Sequence, residues 1–162
     1  MNFREIQEHD INDVFMVRVA TRENALSREQ LAGLGINEES VLVMLNKTHR
    51  GWLCEADNRI VGFAMGNRQN GEMWVIALLP DYEGRGIGAQ LLTRVEDWLW
   101  SKGWNEIWLT TDVNPALRAY GFYRRQGWID HKIEYNLRYM KKMNPNNPLR
   151  KDQNSAALHS HR

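Results

Sequence analysis

Three glycines at alternate positions, Gly84, Gly86 and Gly88, stand between an apolar run ending Leu78-Leu79-Pro80 and a long amphipathic stretch that begins at Ile87. Glycine has no Cβ, so successive backbone N–H groups can converge on one point and a ligand can approach the main chain closely. A helix start adds unpaired donors and the positive end of the helix dipole. Together these make an anion site, and the chemistry that suits it is a pyrophosphate.

Two familiar phosphate loops match poorly. A Walker loop needs Gly-x-x-x-x-Gly-Lys-Ser/Thr, and no such lysine and hydroxyl follow Gly88. Gly84-x-Gly86-x-x-Ala89 does satisfy the dinucleotide fingerprint Gly-x-Gly-x-x-Gly/Ala. Its setting does not: Pro80-Asp81-Tyr82-Glu83 separates the strand from the first glycine, where that fold needs a tight turn. Only about half the chain remains after it, too little for the usual run of βα units. Cys54, the single cysteine, lies inside a strand-like run and reads as a buried thiol rather than a nucleophile.

The elements that must hold the loop follow from the hydrophobic pattern. Met73 to Leu79 reads as the strand before it. Ile87, Leu91, Leu92, Val95, Trp98 and Leu99 form one stripe of the helix after it, with Arg94, Glu96, Asp97 and Lys102 mostly elsewhere and Gly103 as the stop. Upstream, Trp52–Ala56 and Ile60–Met65 flank Asp57-Asn58-Arg59 as a hairpin, and Gln69-Asn70-Gly71 is a second turn. Downstream come a strand from Glu106 to Thr111, a helix from Pro115 to Gln126, and strand-like stretches at Trp128–Ile133 and Tyr135–Met140. Residues 1–50 read as mostly helical. Asp10 is placed to cap Ile11–Arg18, Ser27-Arg28-Glu29-Gln30 fits a capping box, and Asn37 is placed to cap a turn through Val41, Leu42 and Leu45. Helices, then hairpins, then βαβα and a last hairpin predict an α/β chain: a mixed sheet with helices on both faces.

Composition narrows the classes. At 162 residues one domain is the default. A net charge of +1 with no long basic run carries no nucleic-acid signature. No apolar segment approaches the ~20 residues of a membrane span, and Met1-Asn2-Phe3-Arg4-Glu5 lacks a basic-then-apolar signal pattern. A cytoplasmic enzyme or binding domain over residues 1–143 is expected, followed by a polar tail, 144–162, that cannot supply a core. His159 and His161 in that tail read as a solvated terminus, and no metal site is expected.

Taken with Leu78-Leu79-Pro80, the run Glu83-Gly84-Arg85-Gly86-Ile87-Gly88 resembles the GNAT superfamily of N-acetyltransferases, as does the later Asn114 followed by Ala119-Tyr120-Gly121-Phe122-Tyr123-Arg124-Arg125-Gln126-Gly127-Trp128. Its pattern is a strand ending hydrophobic-x-Pro, then Gln/Arg-x-x-Gly-x-Gly/Ala, then an Asn and Ala-x-x-Phe/Leu-Tyr-x-x-x-Gly-Phe. The resemblance spans residues 3–143 and implies a GNAT-like central mixed, mainly antiparallel sheet of six to seven strands with helices on both faces. It implies acetyl-CoA as co-substrate, in the opening between the glycine-loop strand and the next. The pyrophosphate would lie on the Glu83, Gly84, Arg85, Gly86, Ile87, Gly88 and Ala89 loop, the pantetheine arm on the backbone of Ile76, Ala77 and Leu78, and Asn114 and Tyr123 would also contact the cofactor. Three departures stand out: Glu83 replaces Gln or Arg, Asn114 lies nine residues before Tyr123, about two farther than usual, and Thr110 occupies the place where some relatives carry a general-base glutamate.

The implied reaction is direct attack of a primary amine on the thioester in a ternary complex. A backbone N–H at Leu78 would stabilise the developing oxyanion, and Tyr123 would protonate the departing thiolate, with Tyr120 one turn earlier as the decoy. Glu72 and Asp112 are the carboxylates nearest to the base position. Acceptor contacts are expected from Arg18, Arg22, Glu23 and Asn24, and an aromatic lining from Trp52, Trp74 and Trp108. A small-molecule amine is the leading acceptor. A protein N-terminus or lysine, or a non-catalytic acyl-CoA-binding domain, are the alternatives. Relatives often dimerise, and an exposed final strand would offer an edge for a homodimer.

Overall fold

Asn2–Glu5 forms a strand, β1, at the start of a stretch expected to be mostly helical. In the computed structural model, which describes residues 1–146, β1 pairs antiparallel with β2 (His49–Ala56). Asn-Phe-Arg-Glu carries no apolar alternation that announces a strand. Tertiary contacts hold it: the Arg4 guanidinium donates to both Asp10 oxygens at 2.8 Å and to Glu55 at 2.7 Å.

Three helices follow, α1 (Ile11–Arg18), α2 (Arg28–Gly33) and α3 (Glu38–Lys47). The expected capping box at Ser27 and the expected cap at Asn37 both form: the Ser27 hydroxyl accepts from Gln30 N at 3.0 Å and the Asn37 side chain from Ser40 N at 2.8 Å. Asp10 does not cap α1, because its carboxylate is occupied by Arg4 and the Gln7 N–H.

β2, β3 (Arg59–Asn67) and β4 (Glu72–Leu78) continue an antiparallel meander in the order β1-β2-β3-β4. Asp57 and Asn58 turn the β2–β3 hairpin with φ of 52° and 62°, the left-handed pair of a two-residue loop, so Arg59 belongs to the strand. One face packs on α1 to α3: Ile11, Val14, Phe15, Val17, Leu31 and Val41 join Leu53, Phe63, Met65 and Ala77. The other face takes α4 (Ile87–Ser101). A Cβ at Gly66 would lie 2.7 Å from Val95 Cγ1, so the missing side chain is what lets the helix approach. The expected α4 stripe is buried, and Glu96 is buried with it, since a residue four after Leu92 falls on the same face.

The chain divides into two units, Met1–Leu99 and Trp100–Arg162, at the last turn of α4. In the second, β5 (Glu106–Asp112), β6 (Ile129–Glu134) and β7 (Leu137–Met143) pair antiparallel in the order β5-β7-β6. The final strand is therefore interior to this group and β6 is its outer strand, opposite to the expected exposed edge. Tyr135 lies in the turn rather than a strand, with φ of 53°. Helix α5 (Arg118–Arg125) starts three residues later than expected, because the Asn114 side chain accepts from Ala116 N at 3.0 Å and holds Pro115 in a turn. Ile107, Leu109, Trp128 and Met140 are fully buried. The mixed α/β class with mainly antiparallel strands is as expected. Most of the expected polar tail, residues 147–162 with His159 and His161, lies outside the described residues.

Candidate active site

β4 ends at Leu78, and Leu79 leads into a 3-10 turn over Pro80–Tyr82. The buried Tyr82 donates its hydroxyl proton to the Asp57 carboxylate in the β2–β3 turn, and the Arg85 guanidinium lies 4.8 Å from the Tyr82 ring centroid. The hairpin thus pins the base of the glycine loop. Gly84 and Gly86 have φ of +74° and +81°, which side-chain-bearing residues rarely adopt, and a Cβ on either would meet nothing within 4 Å. Those open positions form a cradle. The helical ladder of α4 begins with Gln90 N donating to Gly86 O at 3.3 Å, so the N–H groups of Ile87, Gly88 and Ala89 precede it and have no helical acceptor. A helix of 15 residues directs its dipole at the same place. The residues expected to hold a pyrophosphate fit one.

One hydrogen bond sets the outward edge of β4. Leu79 N donates to Val61 O at 2.9 Å. Antiparallel pairing alternates from there, so Ala77 opposite Phe63 and Val75 opposite Met65 turn both backbone polar groups towards β3. Ile76 and Leu78 turn theirs away from β3. Of the three residues expected to pair with a pantetheine arm, Ile76 and Leu78 have the outward orientation, while Ala77 is engaged by Phe63. The register then slips: Met65 opposes Val75 but Gly66 opposes Met73, which leaves Trp74 as the extra residue of a β-bulge. Bulges re-aim side chains beside functional sites. The only trace of this one in the sequence is Gly66 across from it.

Arg22, expected among the acceptor contacts, lies with Nε 3.5 Å from Glu83 Oε2. The departure at Glu83 thereby finds its compensation, since the carboxylate at the lip of an anion cradle carries its own counter-charge. In the loop after α1, Arg18 Nη1 donates to Asn24 O and the Thr21 hydroxyl to Glu23 O, both at 3.1 Å, and Asn24 takes φ of 54°. The last residue of α1, Arg18, is thereby tied to the loop that carries Glu23 and Asn24. Trp52 stands apart, edge-on to Trp98 of α4 at 6.1 Å. Trp74 is half-buried on the α1 side and edge-on to His49 at 5.0 Å.

Glu72 sits at the far end of β4, six residues before Leu78 and so about 20 Å from it along the strand. The two cannot touch one bond. Burial pushes the Glu72 carboxyl above its usual range, against a smaller opposing hydrogen bond from Asn70.

In the second unit Tyr123 is 5% exposed, packed among Phe122 and Trp128. Its hydroxyl makes no hydrogen bond to another described residue, and burial pushes its pKa well up. Tyr120 differs: its hydroxyl donates to Asp130 at 2.8 Å and its ring lies under the Arg138 guanidinium at 4.5 Å. Asp112 accepts from Asn114 N at 2.8 Å and serves the turn. Asn114 is exposed and accepts from Ala116. Thr110 lies opposite Tyr139 on β7, and Trp108 stacks on Tyr139 at 6.0 Å. Cys54 is fully buried and burial raises its pKa, so it is inert. Among the described residues no group of three or more metal-ligating side chains occurs, and no helix is long and apolar enough to cross a membrane.

The sequence pattern of the acetyltransferase (GNAT) family matches residues 15–128. The chain belongs to this family. The match begins in α1 and ends at Trp128, so it takes in both the glycine cradle and the Tyr123 helix of this GNAT chain. An uncharacterised N-acetyltransferase of Methanocaldococcus jannaschii is 33% identical over 85 residues, 51% of this chain and 54% of that protein. The match thus spans about half the length of that relative. Among solved structures, the PaiA N-acetyltransferase of Thermoplasma acidophilum in complex with coenzyme A aligns with a TM-score of 0.75 at 20% identity, over 89% of this chain and 100% of that one. An aminoglycoside 6'-N-acetyltransferase complexed with coenzyme A aligns at 0.70 and 16% identity, over 91% and 99%. At those identities the likeness shows that the GNAT fold is shared.

Proposed function

We propose that this protein is an N-acetyltransferase that moves the acetyl group of acetyl-CoA to a primary amine by direct attack. The observation that carries the reading is the continuity of donors in the first unit: outward N–H groups at Ile76 and Leu78 run into the Gly84–Gly86 cradle at the start of α4. That row suits an extended arm ending in a pyrophosphate. With the phosphates in the cradle, the arm engages Leu78 first and carries the thioester towards the bulge at Trp74. The Ile76 N–H, one step nearer the bulge than the expected Leu78, is then the donor to the charge that develops on the carbonyl oxygen. Acetyl-CoA supplies an activated acyl group; the chain orients it, and the amine nitrogen forms the new C–N bond as the C–S bond breaks. Glu72, with its pKa raised by burial, takes the ammonium proton through water, since a base works best when its pKa approaches the working pH. By the family resemblance, Tyr123 is the residue that would give a proton to the thiolate.

Thiol release from acetyl-CoA across a panel of primary amines tests this. Turnover with a small amine supports the small-molecule reading, and turnover with peptide N-termini or lysines alone moves the acceptor to protein. The second reading, an acyl-CoA-binding domain without catalysis, is favoured by Thr110 at the place of the family's glutamate. It wins if acetyl-CoA raises the melting temperature while no amine releases thiol.

A further inference from the structure

The arginines on the α1 side of the first unit are almost all matched with carboxylates. Arg4 pairs with Asp10 and Glu55, Arg22 with Glu83, and Arg28 with Glu38. Arg18 is the exception. It closes α1 between Val17, which is 2% exposed, and Val19, which packs against the same core. The side chain is half-buried, and its one hydrogen bond to a described residue runs to a neutral acceptor, the Asn24 carbonyl, at 3.1 Å. A guanidinium has five donors in a planar fork. Four of these have no protein partner among the described residues.

The position of Arg18 gives that charge a use. The residues of α1 beside it pack with Ala77 and Leu79, at the end of β4 that leads into the cradle. Arg22, four residues on, touches Glu83 in the cradle's lip. The Thr21 hydroxyl fixes the loop after α1, and the Asn24 carbonyl of that loop holds one arm of the fork. Burial pushes the Arg18 pKa down, and no charge on a described residue opposes that shift.

We propose that Arg18 is the acceptor-specificity residue, binding a carboxylate carried by the amine, so that the acceptor class is an amino acid or an amine of that type. This rests on the acetyl-transfer reading for the amine and on the fork's geometry for the anion. A bidentate guanidinium–carboxylate pair is the strong, directional form of this contact.

The test compares matched amines with and without the carboxylate: lysine against 1,5-diaminopentane, and phenylalanine against 2-phenylethylamine. The wild-type protein should favour the carboxylate-bearing member of a pair in kcat/KM by at least about tenfold. Arg18→Gln should raise KM for that member by a similar factor and leave its decarboxylated partner unchanged, while Arg18→Lys recovers part of the preference. Equal kcat/KM within every pair, or an equal loss on both members, overturns the proposal. An Arg18→Gln protein that loses its melting-temperature rise with acetyl-CoA also overturns it, because the fork would then serve the cofactor's phosphates. Calorimetric titration of the same pairs into the CoA-bound protein reads the anion site without turnover. Carboxylate-dependent binding that Arg18→Gln abolishes upholds the site even where no thiol is released, an outcome that sinks only the transferase reading. Equal binding within every pair overturns the site itself.

Discussion

A buried tyrosine can act on a thiolate only if the proton lies near balance between them. The thiol and phenol begin about 1.5 pKa units apart, near 8.5 and 10. Burial raises the Tyr123 value, and a thiolate in the same dry surroundings rises for the same reason, so their difference changes less than either value. Among the described residues the hydroxyl has no hydrogen-bond partner to break before it donates. Tyr123→Phe should therefore lower kcat by roughly 100-fold, the lower end for a positioned acid, and leave folding stability and the acetyl-CoA melting shift in place. Stopped thiol-release kinetics check this, and an unaltered kcat would remove Tyr123 from the chemistry. The Arg22–Glu83 pair makes a second prediction at this scale, with opposite signs from its two sides. Glu83→Gln removes a negative charge from the lip of the cradle and should lower the acetyl-CoA KM several-fold. Arg22→Gln leaves that charge uncompensated and should raise it. Both changes should shrink at high salt, because the pair is only partly buried. Shifts of the same sign in both variants would place the pair outside the phosphate field.

At the scale of elements, the cradle and the sheet glycines separate two kinds of damage. Gly86→Val forces a side chain onto φ of +81° and projects it into the open cradle. It should cost about 1–2 kcal/mol of stability and abolish the melting-temperature rise with acetyl-CoA. Gly66→Val pushes a side chain against Val95 of α4 and should destabilise by about 1–3 kcal/mol, yet keep the cofactor-induced rise. Calorimetry with and without acetyl-CoA distinguishes them, and a retained rise in Gly86→Val would move the phosphate site elsewhere. The contrast also marks what the sequence discloses. The loop glycines, the Ser27 and Asn37 capping boxes and the α4 stripe are local patterns, readable because their partners lie within a few residues. β1, the Trp74 bulge, the interior place of β7 and the burial of Glu96 are not local. Each depends on a strand or helix that arrives from elsewhere in the chain, and Asn-Phe-Arg-Glu holds nothing that names β2 as its partner. The acceptor residues stayed half-legible for the same reason. Arg18 and Arg22 look alike in sequence, and only the fold gives Arg22 a carboxylate and Arg18 none among the described residues.

For the molecule as a whole, one ion cluster ties the N-terminus into the first unit. Arg4 on β1 reaches Asp10 before α1 and Glu55 on β2, and the Asp10 side chain is 3% exposed. The Arg4 hydrogen bonds hold the Asp10 carboxyl below its usual range, outweighing the opposing effect of burial, with the Gln7 N–H assisting. A carboxylate whose folded-state pKa is depressed binds fewer protons folded than unfolded in the interval between the two values. Its contribution is therefore complete above the unfolded value, near ~3.9, and falls away as pH drops through the folded one. Asp10→Asn should cost about 3 kcal/mol at neutral pH, the lower end for breaking a buried pair because Arg4 keeps Glu55 and is partly solvated. That difference should narrow steadily below pH ~4 as the wild-type carboxylate itself becomes protonated. Urea unfolding of both proteins between pH 3 and pH 7 reads the convergence directly. A difference that stays constant across the range would show that Asp10 stabilises by packing and not by its charge.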